Sequence, residues 1–245
     1  MFKYEMHLHT NQGSKCGATA GKDYVDFYKS IGYAGVVVTD HFYHGNTRPD
    51  RSLPWNQYMD EFLSGYYDMK EAAEGKDFDV FFGVEECFDT WDEYLVYGLK
   101  PEWFIAHPEL RDMKRVEFLT FARESEAFII QAHPYRFRDY MRADHHTIAS
   151  SYVDGYEVFN SCNTPEHNKL ELMFAQKTGE LMTSGSDRHK AVDSIMQGGI
   201  ILPERAKNIE ELISALKQRK HSLMGVETLE AVSENVEPTL PVTFI

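Results

Sequence analysis

Five apolar runs in this chain each end in an imidazole or a carboxylate: His7-Leu8-His9, Asp40-His41, Glu85, His133 and Ser186-Asp187-Arg188-His189. Nothing else in the sequence restricts the fold as much. Buried polar side chains without partners cost a few kcal/mol each, so groups that finish several separate strands need a common reason. A metal cluster at the mouth of a barrel supplies one, because the ends of many strands meet there.

The rest of the chain reads as strand-helix alternation. In residues 3–9 a period of two puts Tyr4, Met6 and Leu8 on one face and Glu5, His7 and His9 on the other, so both histidines point the same way. Thr19 is placed to cap a helix over residues 20–31, which Gly32 ends before the apolar strand 34–38. Gly45, Pro49 and Pro54 mark a loop from His41 to Asn56, long enough for a lid, before a helix over 57–74. A strand over 78–84 delivers Glu85, and 94–99 is its neighbour across a turn around Asp89 and Asp92. Helix 112–124, strand 127–132, strand 155–159, helix 165–178 with Pro165 in its first turn, strands 181–184 and 199–202, helix 208–219 and strand 222–226 follow. This alternation predicts one α/β barrel domain spanning residues 1–245, its active site built from the loops after the strands and its tail, about 227–245, packed along the outside.

A chain of 245 residues, 42% hydrophobic and 26% charged, is long enough for one such core. Its net charge of −14 argues against a broad surface for extended nucleic acid, which needs clustered Lys and Arg. A small anionic substrate stays compatible, since bound cations reverse the local field. Cys16, Cys87 and Cys162 are too few and too irregular for a disulfide framework or a paired-cysteine zinc site, which points to a reducing, cytoplasmic setting. The N-terminus lacks the apolar core of a signal peptide, and no run approaches the roughly 18 apolar residues of a membrane span. The expectation is a soluble protein with no membrane partner; the sequence carries no signal for an oligomeric state.

Each motif alone has a plain structural explanation. The His7-His9 pair could be hydrogen-bonded or at the surface, Asp40 could cap its loop, His133 could be a satisfied core histidine and Asp187 a helix cap. Glu85 and Glu86 alternate, so one points inward, where only a cation would keep it ionised; phase does not say which. Coincidence at five strand ends weighs against reading all of these as bland.

Taken together, His7-Leu8-His9-Thr10, Thr39-Asp40-His41, Gly83-Val84-Glu85, Gln131-Ala132-His133-Pro134, Glu157-Val158-Phe159-Asn160 and Ser184-Gly185-Ser186-Asp187-Arg188-His189 resemble the PHP family, the polymerase and histidinol phosphatase domains. The resemblance covers residues 1 to about 205 in order. It implies a distorted (β/α)7 TIM-like barrel, two or three divalent ions (Zn, Mn or Fe), and metal-dependent phosphoesterase chemistry. It selects Glu85 over Glu86. By its motifs His7, His9, Glu85 and Asp187 would hold one ion, Glu85 would bridge to a second that His133 also binds, and His41 and His189 would hold a third.

Two departures stand out. Many members carry a His in the strand after the bridging Glu, where this chain reads Tyr94-Leu95-Val96-Tyr97, and a further ligand common after the first motif is missing from Gly13-Ser14-Lys15-Cys16-Gly17. His107 is a candidate substitute, with an exposed loop histidine as the plainer reading. The implied reaction is hydrolysis of a small phosphomonoester, histidinol-phosphate-like or nucleotide-like, by a metal-bridging hydroxide. Arg136, Arg188 and Lys15 are the nearest cations for the phosphoryl group, and Asp40 or a water would protonate the leaving alkoxide. Tyr43, Trp55 and Tyr58 would either stack on a substrate ring or pack the lid. The rival reading is a metal-stabilised binding domain without catalysis. Amidohydrolases share the opening motif, but Gly-Val-Glu and the closing Ser-Asp-Arg-His favour the phosphoesterase.

Overall fold

A computed structural model describes residues 1–88, 91–192 and 196–245. Its strands and helices follow in the order β1 (Phe2–Glu5), α1 (Gly21–Ser30), β2 (Tyr33–Val38), α2 (Trp55–Ala72), β3 (Asp79–Cys87), β4 (Glu93–Tyr97), α3 (Pro101–Ala106), α4 (Arg115–Glu124) and β5 (Phe128–Ala132). Then come β6 (His146–Ile148), β7 (Gly155–Asn160), α5 (Pro165–Thr178), β8 (Leu181–Gly185), β9 (Ile200–Leu202), α6 (Ile209–Lys217), β10 (Ser222–Leu223) and β11 (Val242–Phe244).

One sheet runs β10-β9-β1-β2-β3-β4-β5-β7-β8. Strand β4 is antiparallel to both its neighbours, while β1–β2, β2–β3, β5–β7 and β7–β8 pair in parallel. The sheet then curls back on itself. Leu8 bridges Arg188 in parallel, with Arg188 N–H donating to the His7 carbonyl at 3.2 Å and His9 N–H to the Arg188 carbonyl at 2.9 Å. The result is the distorted TIM-like barrel the motifs imply, its distortion being the reversed β4. Strand β9 lies antiparallel to β1 beside this seam, and β11 pairs with β6 in a separate two-stranded sheet.

The apolar sequences of β2 and β5 are buried because helices cover one side and the barrel interior the other. Tyr24, Tyr28, Met59 and Phe62 of α1 and α2 pack on one side, and Leu212 and Leu216 of α6 close the far end against Leu95 and Ile130. Phe42, Trp55, Tyr58 and Phe62 form an aromatic stack under the long loop, with Trp55 and Tyr58 rings 5.5 Å apart. The lid aromatics Trp55 and Tyr58 are therefore committed to packing.

Several local expectations need correction. Thr19 does not cap α1; the cap position is Ala20, and the Thr19 hydroxyl instead accepts the Ala191 N–H at 2.9 Å. Pro108 starts a 3₁₀ turn over Pro108–Asp112, so α4 begins only at Arg115, where Glu117 accepts the Lys114 N–H at 2.9 Å. Strand β3 runs past Glu85 instead of ending before it, because the chain after β2 continues the ladder: Glu85 N–H donates to the Asp40 carbonyl and Phe42 N–H to the Glu85 carbonyl. Asp89 lies outside the described residues, whereas Asp92 pairs with Arg115. Among the described residues no helix is long and apolar enough to cross a membrane.

Candidate metal centre

The loop-side end of the barrel gathers His7, His9, His41, Glu85, His133, Asp187 and His189, all seven expected ligands. The first pair is set by a clamp beneath it. Buried Glu5 accepts the Met6 and His7 N–H groups at 3.0 Å and the Ser186 N–H at 2.8 Å, while its other oxygen takes the Ser186 and Tyr28 hydroxyls. One carboxylate thus ties the end of β1 to the segment after β8, fixing His7 and Asp187 relative to each other.

Glu85 is the hub. Its Oε1 lies 3.1 Å from His7 Nε2 and 3.4 Å from His133 Nε2; its Oε2 lies 2.8 Å from His41 Nδ1 and 3.4 Å from His9 Nε2. Asp187 Oδ1 stands 3.0 Å from His9 Nε2 and 3.5 Å from His7 Nε2. Despite these distances, both Glu85 oxygens and all four of the imidazole nitrogens facing them are buried without a hydrogen bond of acceptable geometry. Misaligned lone pairs held this close repel unless a cation lies between them, and a mixed imidazole-carboxylate set suits a divalent ion.

The outer nitrogens agree. His7 Nδ1 sits 3.0 Å from Glu157 Oε1, and His9 Nδ1 sits 3.2 Å from the Ser14 hydroxyl, which donates to Asp40 Oδ1 at 2.6 Å. With the proton held at Nδ1, each ring turns its Nε2 lone pair toward Glu85 and Asp187. Burial, helped by the His41 charge, pushes His9 down to about 3, so its imidazole is neutral. Burial opposes ionisation of Glu85, but positive charge at His7 and His41 outweighs it and holds the carboxyl well below its usual range, a charge that bound cations would supply instead where the rings are neutral. His133 and Asp187 both adopt left-handed backbone, with φ of 31° and 51°, a strain that recurs at functional sites. For His133 this reverses the extended form expected before Pro134; a turn closed by Arg136 N–H on the His133 carbonyl at 2.9 Å holds it.

The remaining expectations divide. Arg136 reaches the cleft, bonding Asp187 Oδ2 and Asn163 Oδ1, each at 2.7 Å. Arg188 does not: it is fully buried behind β1, its guanidinium over the Phe27 and Tyr28 rings. Lys15 is exposed and is not among the cleft-lining residues. Asp40 sits under the cluster with both oxygens taken, by Thr10 N–H, the Thr10 hydroxyl and the Ser14 hydroxyl. His107 is outside the cluster and half-buried instead of exposed, pairing with Glu109 and packing on Trp103, so it replaces no missing ligand. Asp187 caps no helix, since none starts there.

Two acidic groups escaped the sequence reading. Glu93 opens β4 opposite Cys87 and beside Ala132, which puts its carboxylate 3.4 Å from His133 Nε2 and 3.7 Å from His41 Nδ1. It stands where the missing imidazole of β4 was sought. Burial and the Glu85 charge raise it to about 8. Its signal was the reversed direction of β4, which brings the start of that strand to the mouth. Glu157, in Glu157-Val158-Phe159-Asn160, has its part only in the fold, where it meets His7 Nδ1. The cluster opens into a cleft of about 500 Å³ lined by Cys16, Glu93, Arg136, Arg138, Cys162 and His189, among others.

No family model matches the chain, and no curated protein matches it by sequence. Solved structures do. A two-domain protein from Bacteroides vulgatus containing a predicted PHP-like metal-dependent phosphoesterase superposes with a TM-score of 0.66 at 17% identity, over 91% of this chain and 64% of that one. The chain thus spans somewhat under two thirds of that protein's length. A candidate metal-dependent phosphoesterase from Bifidobacterium adolescentis gives 0.55 at 14% identity, over 87% of this chain and 95% of that one. The lesion-specific endonuclease EndoQ of Pyrococcus furiosus gives 0.56 at 12% identity, over 91% of this chain and 57% of its own.

Endonuclease Q corrects one expectation. It has been seen with a 27-mer duplex carrying an abasic lesion at its active site, in a structure that matches at a TM-score of 0.55 and 12% identity over 89% of this chain and 56% of that one. The inference from net charge to no extended nucleic acid is overturned, because a duplex reaches a centre on this fold and whole-chain charge does not describe the field at one mouth. At these identities the likeness concerns architecture, and the chain has the fold of the PHP-like metal-dependent phosphoesterases.

Proposed function

We propose that this chain is a metal-dependent phosphoesterase of the PHP family, acting on a small phosphomonoester of the histidinol-phosphate or nucleotide kind. The observation that carries the reading is the Glu85 carboxylate, ringed by four buried imidazole nitrogens with no hydrogen bond among them. His7, His9, Glu85 and Asp187 would hold one ion; Glu85, His133 and Glu93 a second; His41 and His189 would contribute to a third. A divalent zinc, manganese or iron ion held there would supply Lewis acidity, enough to make water a nucleophile near neutral pH and to neutralise phosphoryl charge.

The protein's own part is to position and to charge. Glu157, and Ser14 backed by Asp40, fix the protons of His7 and His9 at Nδ1. Arg136 adds a permanent positive charge beside Asp187, where a phosphoryl oxygen would gain from it. Asp40 orients Ser14, leaving the alkoxide to take its proton from water. The three thiols, none in a disulfide, suit a reducing compartment, and we place the enzyme in the cytoplasm.

The test is phosphate release by the purified protein from p-nitrophenyl phosphate and from a panel of phosphomonoesters, phosphodiesters and abasic duplex. Release that disappears with chelator and returns with Mn²⁺ or Zn²⁺ is expected, highest on a monoester. Bound metal with no release from any member of the panel would leave a metal-stabilised binding domain instead.

A further inference from the structure

We propose that the metal centre is graded in chemistry along its length, with His41 between its two sides: the Glu93 and His133 side takes a hard divalent ion through oxygen, and the other side adds the Cys16 thiolate to His41 and His189 and takes a thiophilic ion, zinc in preference to manganese. This rests on the reading of the cluster as a metal centre and adds the kind of ion each end selects.

The loop between β1 and α1 presents Cys16. Ser14 is fully buried and donates to Asp40, Lys15 N–H donates to the Asn46 carbonyl at 2.9 Å, and Ala18 N–H donates to the His189 carbonyl at 2.7 Å. At position 17 a Cβ would lie 2.1 Å from the Thr10 carbonyl oxygen, so only glycine lets the turn sit this close. The turn leaves Cys16 half-buried in the cleft that His41 and His189 also line. Independently of the cysteine, His9, His41 and His189 offer ring nitrogens within 4.8 Å of one another, and the His9 Nε2 and His41 Nδ1 atoms are buried without a hydrogen bond. A thiol beside unpartnered imidazoles is a nitrogen-sulfur donor set, which selects zinc over manganese.

The other thiols are placed differently. Cys162 lines the same cleft but donates its thiol to the Asp187 carbonyl at 3.2 Å, and buried Cys87 directs its sulfur to the Phe88 carbonyl at 3.7 Å. At the opposite end Glu93 Oε2 and Glu85 Oε1 each stand 3.4 Å from His133 Nε2, giving two carboxylates to one imidazole. Oxygen-rich sets of that kind accept manganese.

Cobalt reads out sulfur ligation directly. Metal-free full-length protein titrated with Co²⁺ is expected to develop a near-ultraviolet sulfur-to-cobalt charge-transfer band, lost in Cys16→Ser and kept in Cys162→Ser and Cys87→Ser. Cys16→His should restore the zinc stoichiometry, which falls by about one ion per chain in Cys16→Ser, without restoring the band. After loading with equal Zn²⁺ and Mn²⁺, Glu93→Gln should lose manganese, followed by its paramagnetic resonance, and keep zinc. Bound cobalt without the band, or a band that survives Cys16→Ser, overturns the sulfur end. Manganese retained in full by Glu93→Gln overturns the oxygen end. No cobalt uptake by a folded protein would instead sink the metal centre itself, and this proposal with it.

Discussion

His7 owes its orientation to one carboxylate it touches with the wrong side for metal binding: Glu157, 3.0 Å from Nδ1 and fully buried. Such partners set both the tautomer and the basicity of a ligand, and losing one costs typically 10- to 100-fold in metal affinity. Glu157→Gln keeps the shape and removes the charge, so affinity measured by chelator competition should fall by about that factor; unchanged affinity would assign Glu157 to packing alone. Asp40 gives the complementary case. Asp40→Asn puts an amide where three donors converge, so unfolding free energy should drop by about 1–3 kcal/mol in urea denaturation. The alkaline limb of its kcat–pH profile should persist, because that limb reports loss of a general acid's proton and Asp40 donates none in this reading. The seven expected ligands were legible because polar groups closing apolar runs require an explanation wherever they point. Arg188 misled because sequence gives a charge without a direction, and its guanidinium turned toward Phe27 and Tyr28.

Element by element, legibility followed length and pattern. Strand β2 and helices α2 and α5 were readable, being long or uniformly apolar, whereas β6 and β11 are three residues each and exist only through pairing with one another. Glu93 was hidden for a related reason: the turn after Glu85 signals that β4 reverses, but which of its residues meets His133 depends on the register against β3 and β5, which no local pattern encodes. Register also makes Gly185 irreplaceable. At the end of β8 an added Cβ would lie 2.4 Å from Glu157 Oε1 and 2.5 Å from His7 Cβ, with neither free to retreat. Gly185→Ala should cost about 2 kcal/mol or more of stability in denaturant unfolding and weaken metal binding through the displaced His7. A pH effect belongs to α5. Burial, then the charges of Arg138 and Arg136, push His167 from 6.5 down to about 4. Between those values the unfolded chain binds more protons than the folded one, so stability is full above pH 6.5 and declines as pH falls toward about 4. From pH 7 to pH 5 this group alone should remove about 2 kcal/mol. The loss in His167→Gln should be smaller by that amount, and parallel pH curves for the two proteins would exclude the assignment.

Across the whole molecule, the barrel closes at the same place where its charges collect. The seam between Leu8 and Arg188 runs directly between His7, His9 and Asp187, so the hydrogen bonds that complete the sheet and the groups that would bind metal share three consecutive residues on each side. Glu85, Asp187, Glu157 and Glu93 converge there in a chain that already carries 39 acidic against 25 basic residues. Arg136 is at hand for Asp187, and imidazoles for the rest, yet four buried nitrogens and both Glu85 oxygens stay without hydrogen bonds. Ions bound to the folded state alone therefore stabilise it by mass action and relieve this repulsion at the seam. A ligand at about 100 times its Kd adds about 2.7 kcal/mol, and in a chain of this length each kcal/mol moves Tm by about 2–4 °C. Chelation followed by calorimetry should thus lower Tm by about 5–10 °C and return it on adding Zn²⁺. Hydrogen exchange should locate the loosening at the β1 and β8 ends before α6. A Tm that does not move after mass spectrometry has verified metal removal would mean that the seam holds on its hydrogen bonds alone, with the cations contributing to chemistry and nothing to closure.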